Sequence, residues 1–134
     1  MLILNPSAVV LGNQILPNVS SIAIDRSATR QIIEWSDEGP HIVFIDCPEQ
    51  RITITLVQEL SRGELSIPAP GTSLQLAFQT SIDSSHAGWS VVSVPVVLLA
   101  AKHESKARGF VRTLSLVAIS SNGISDPVTI SPIQ

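Results

Sequence analysis

Tyrosine is absent from this 134-residue sequence, and cysteine and methionine occur once each. Two Trp and three Phe bring the aromatics to only 4%. That excludes a broad stacking platform of the kind sugar-binding sandwiches build from exposed rings. The lone Cys47 excludes an internal disulfide and fits a reducing compartment. Beside Pro48, it reads as a small packed residue rather than a nucleophile. Charge is scarce too: 14% of residues are Asp, Glu, Lys or Arg, against about a quarter in ordinary soluble domains. The eight Lys and Arg form no basic run and the net charge is −3, so nothing argues for gripping nucleic acid phosphates. The longest apolar run, "VPVVLLAA" (94–101), is far too short to span a bilayer. The opening "MLILNPSAVV" has no positive n-region and Asn5-Pro6 interrupts it. No signal peptide is read, and synthesis and assembly in a cytoplasm are expected.

Catalytic signatures are missing as well. There is no "GxSxG" elbow, no "GxxxxGK[ST]" and no "GxGxxG". His41, His86 and His103 lie far apart, each in or beside a turn, without the spacing of a local metal site. The densest cluster of chemistry is "EWSDEGPH" (34–41), with Glu34, Asp37, Glu38 and His41 beside Trp35. Catalytic carboxylates need a pocket to tune them. A turn between two strands gives a solvated tip instead. The expectation is a chain that is not an enzyme and holds no cofactor or metal.

Apolar residues make up 44% of the chain, enough for one domain over 1–134 with a real core. The dominant pattern is period two. In "RITITLVQEL" (51–60), Ile52, Ile54 and Leu56 alternate with Thr53, Thr55 and Val57. "SSIAIDR" (20–26), "TSLQLAFQT" (72–80) and "FVRTLSLVAIS" (110–120) alternate likewise. Successive side chains of a strand point to opposite faces, so each run has a core face and a milder one. "WSVVSVPVVLLAAKH" (89–103) is a long strand whose Pro95 calls for a bulge or an edge position. Turns are read at "GNQ" (12–14), "SDEGP" (36–40), "CPEQ" (47–50) and "SNGISDP" (121–127). Pro17-Asn18 breaks the second strand early, "RGELSIPAPG" (62–71) is a loop, and "KHESKARG" (102–109) is a polar hairpin tip. Only "SIDSSHAG" (81–88) has helix caps, and a loop is the equal alternative. The fold class is all-β, a β-sandwich or barrel of about seven or eight antiparallel strands with at most one short helix. Each Trp is expected in a core or an interface.

Three stretches together resemble phage tail tube proteins. The start has a short strand, a "GN" turn and then "ILPNVSSIAIDRS" (15–27). "EWSDEGPHIVFIDCPEQRITITLVQEL" (34–60) is similar to their hairpin and long alternating strand. "RTLSLVAISSNGISDPVTI" (112–130) is similar to their closing strand and tail. Residues 62–88 carry little of the likeness.

The resemblance implies a ring-forming structural protein of the virion. Six-membered rings would stack into a hollow tail tube through which DNA passes without specific binding. Partners would be copies of the same chain, with sheath, baseplate and terminator proteins as further candidates, and no membrane. Glu34, Trp35, Asp37, Glu38 and His41 would form a hairpin tip touching a neighbouring subunit. Ser21, Ala23, Asp25, Thr53, Thr55 and Glu59 would face the lumen, where short, neutral-to-acidic side chains let DNA slide. A ring-forming tail-tip, baseplate or tail-completion protein of the same fold is the near alternative. A monomeric carbohydrate-binding sandwich and a small hydrolase are the remote ones.

Overall fold

Alternating Ile, Leu and Val cannot stay in water on one face of a strand, and here they close over one another. A computed structural model describes residues 2–4, 7–60, 69–80, 89–107 and 109–132. The protein is all-β. Its strands are β1 (Leu2–Leu4), β2 (Ser7–Leu11), β3 (Gln14–Ile15), β4 (Val19–Trp35), β5 (Ile42–Leu60), β6 (Ser73–Thr80), β7 (Ser90–Lys106), β8 (Gly109–Ala118) and β9 (Thr129–Pro132). All pair antiparallel in one sheet, in the order β1-β4-β5-β8-β7-β6-β2-β3, with β9 beside β7. Among the described residues the two ends of this path do not pair with each other, so the sheet is open rather than a closed barrel.

The sheet curls into a sandwich-like shape around one apolar cluster. Ile22, Ile54, Leu56 and Leu116 come from one half of it, and Leu76, Phe78, Val94 and Leu98 from the other. None is more than 1% exposed. Faces that dry must cover each other, since the described residues hold no other layer. Strand β7 turns the corner: its first part pairs with β6 and β9, and its second part with β8. The register slips between Leu98 and Ala100, which leaves Leu99 as an extra residue. Such a bulge bends a strand and lets it pass from one layer to another.

Among the described residues three polar side chains are buried with the core: Gln58, Thr80 and Arg112. Gln58 Nε2 donates to the Pro17 carbonyl at 2.7 Å, and Arg112 donates to Gln58 Oε1 through Nε and Nη2. Buried polar groups persist when they are hydrogen-bonded in this way. The chain ties the Pro17-Asn18 break to β5 and β8. Asn18 adopts φ +57° there, a left-handed value that Asn tolerates better than most residues. Gly12 takes φ +63° in the β2–β3 turn, where a Cβ would sit 3.0 Å from Leu74 Cδ2.

Several sequence expectations need correction. "CPEQ" is not a turn, because β5 runs unbroken through residues 47–50. The Pro48 that suggested a turn lies within a register slip, between the rungs Arg30–Glu49 and Ile32–Asp46, which accommodates it in the ladder. The 102–109 tip is also tighter than expected, with Lys106 already opposite Gly109. Pro95 sits neither on a bulge nor on an outer edge. It lies in β7 between the end of β9 at Ser93 and the start of β8 pairing at Val96, where the missing donor costs least. Its carbonyl still accepts from Ile119 N at 2.9 Å. Neither tryptophan is in the core: Trp35 is 61% exposed and Trp89 46%. The possible helix at 81–88 and most of the 62–71 loop lie outside the described residues.

Candidate assembly surfaces

Strands β4 and β5 continue well past the core. Pairing of β4 with β1 stops at Ile24, and pairing of β5 with β8 begins only at Thr53. Residues 26–35 and 42–52 therefore form a two-stranded ribbon with no strand on either side among the described residues, about 30 Å long at ~3.3 Å per residue. We call it the arm. Its tip is closed by Ser36 N donating to the His41 carbonyl at 3.2 Å and Glu38 N to Ser36 Oγ at 3.1 Å. Arg30 lies 3.6 Å from Glu49 across the ribbon, an exposed pair that adds little.

The arm is apolar where it should be polar. Ile32, Ile33, Trp35, Ile42, Val43, Phe44 and Ile45 are all exposed. Ile33 is opposite Ile45, and Trp35 opposite Ile42, so those pairs share a face. Ile32 opposite Asp46 and Glu34 opposite Phe44 make the other face mixed. The outer part of the arm is also acidic, while Arg26, Arg30 and Arg51 lie toward its base. Residues 31–50 hold five carboxylates and no Lys or Arg. Those five exceed the whole net charge of −3, so the rest of the chain carries +2.

A second surface covers the outside of the sheet. Ser21, Ala23 and Asp25 pair with Val57, Thr55 and Thr53, and these continue across β8 to Thr113, Ser115 and Val117. Glu59 lies in line beside Val111. The face is built of short side chains, half-buried at Ser21, Ala23, Thr53 and Thr55, and exposed at Asp25 and Glu59.

No family model matches the chain, and no curated protein or solved structure matches it either.

Glu34, Trp35, Asp37, Glu38 and His41 thus gather at the arm tip. The six residues Ser21, Ala23, Asp25, Thr53, Thr55 and Glu59 share one face, well away from that tip. The sequence reading missed the other exposed apolar residues of the arm. Their signal was present in "HIVFID": four consecutive apolar residues without alternation, in a two-stranded element that can bury neither face. Among the described residues no group of His, Cys, Asp and Glu is placed to hold a metal. No helix there is long and apolar enough to cross a membrane. Cys47 is a free thiol, half-buried on the arm.

A cleft of about 420 Å³ lies at the base of the arm, between Arg26, Gln50 and Ile52 and the loop from Ser120 to Pro127. Asn122 Oδ1 accepts from the Ile124 and Ser125 amides at 2.9 and 2.8 Å and shapes the loop. Asp126 accepts from Val128 N at 3.0 Å and pairs with Arg26 at 3.1 Å, tying the loop to the arm base. The Val128 amide holds the Asp126 carboxyl below its ordinary 3.8, and Arg26 adds to this against a raising contribution from burial. A depressed carboxyl stabilises the fold above the unfolded value and ceases to do so as pH falls through the folded one. The tie should therefore open only below pH 3.8. Exchange of the Val128 amide, corrected for its intrinsic rate, should rise there in the wild type. It should be flat with pH in Asp126→Asn. A wild-type amide that shows no such rise would remove Asp126 from this role.

Proposed function

We propose that this chain is a structural subunit that assembles with copies of itself into rings, and that the rings stack into a hollow tube of the phage tail kind. The observation that carries the reading is the arm. Seven large exposed apolar side chains on a ribbon with no flanking strand among the described residues are a liability for a monomer and a docking element for an oligomer. Its two strand edges, free among the described residues, add backbone donors and acceptors that another chain can satisfy. The resemblance of residues 15–27, 34–60 and 112–130 to tail tube proteins supplies the ring and the tube. The short-chained face with Asp25, Thr53, Thr55 and Glu59 suits a channel lining, because it offers phosphates no cation-rich surface to bind.

At micromolar concentration the purified chain should sediment as a hexamer or larger, with rings or tubes in micrographs. Cysteine at Thr53 or Thr55, in a Cys47→Ala background, should react in those tubes with a small maleimide. A bulky reagent should reach it only near tube ends. A persistent monomer removes the assembly reading. Equal and complete labelling by both reagents puts that face on the outside and leaves the channel lining to another surface.

A further inference from the structure

The arm and the β7–β8 turn lie at opposite ends of one strand. β5 starts at Ile42, opposite Trp35 in the arm. It finishes at Leu60, opposite Phe110, which in turn pairs with Ser105 beside the β7–β8 turn. The 19 residues of β5 span roughly 60 Å at about 3.3 Å each.

These two ends differ in charge. The arm end carries all five carboxylates of residues 31–50. At the other end, Lys102 and Lys106 stand against a single Glu104. Lys102 and Lys106 are exposed. Lys102 Nζ reaches Glu104 at 3.2 Å, but its side chain is 72% exposed. A pair that open is weak and readily exchanges partners.

We infer that the acidic arm of one copy docks on the β7–β8 end of a second copy, with its carboxylates meeting Lys102 and Lys106. This rests on the assembly reading above and gives it a direction. The contact joins two different patches, so it repeats head to tail along the strands. The alternative, arm against arm, would set five carboxylates against five and be opposed by like-charge repulsion. Apolar residues of the arm supply the bulk of the attraction, and the charges select the end.

The test uses the full-length chain. Lys102→Glu with Lys106→Glu should raise the concentration needed for assembly by about tenfold, the worth of a few exposed pairs. Both sites are exposed, so the thermal transition of the free subunit should not move. Adding Asp37→Lys and Glu38→Lys to the same chain should restore assembly. Raised salt should weaken wild-type assembly and spare the apolar part. The pairing is overturned if the reversal variant assembles like the wild type. It is also overturned if the compensated chain is no better than the reversal, or if Asp37→Lys/Glu38→Lys alone strengthens assembly, which is the arm-to-arm result. A wild type that never assembles brings down the assembly reading and this pairing together. A wild type that assembles alongside an unaffected reversal variant brings down this pairing alone.

Discussion

Replacing residues 29–49 with Asn-Gly should leave a folded, cooperatively unfolding monomer. Ala28 and Gln50 are cross-strand partners, so a two-residue turn can rejoin them. Every residue of the apolar cluster lies outside the excised segment. The core therefore keeps its burial, and the thermal transition should stay within a few degrees of the wild type. Assembly should disappear, because all seven exposed apolar side chains of the arm are gone. A milder version is Trp35→Ala. With the indole 61% exposed, the free subunit loses little. Truncating an anchor of this kind at an interface costs ~2 kcal/mol or more, about thirtyfold in the assembly constant. Sedimentation of both variants beside the wild type reads the result. Undiminished assembly would show that the arm is not a subunit contact. Unfolding of either variant would show that the arm supports the fold itself.

Phe78→Ala should do the reverse. Phe78 is 1% exposed and is the largest fully buried side chain described. Removing a buried Phe costs about 3–5 kcal/mol, the lost transfer energy plus the cavity left behind. Small domains have only about 5–15 kcal/mol in total. The variant should unfold at a much lower denaturant midpoint, with or without the arm. Its cost and that of the arm excision should be independent, since the two sites share no partners. A loss under about 1 kcal/mol would mean that the two halves of the sheet do not close over Phe78.

Much of the fold was legible because strand alternation is a local signal. Ile22, Ile24, Ile52, Ile54, Leu56, Leu76, Phe78, Leu114 and Leu116 all lie on the buried face that the period assigns them. The turn at 36–40 and the break at Pro17-Asn18 followed from residue chemistry. What escaped was set by partners distant in the chain. Pro48 suggests a turn when read alone, yet β4 slips its register to accept it. By type each tryptophan reads as core or interface, and only the end of the β1 and β8 pairing leaves Trp35 in the open. The face of Ser21, Thr53 and Thr55 was visible as alternation, while its continuation onto Thr113 and Ser115 is a matter of register.

Two segments of this chain compete for one template. Beyond Ala118, β8 has a ready path along β7 toward Val94 and Ser93. Ser93 instead pairs with Thr129 of β9. Pro95 decides the contest. Ile119 can donate to its carbonyl, but the reciprocal donor does not exist, so each further step of β8 starts from a broken rung. The chain leaves the sheet, turns around Asn122, and returns eleven residues later with Asp126 docked on Arg26. A single imino acid thus acts as a reserved place, leaving the start of β7 to β9 rather than to β8.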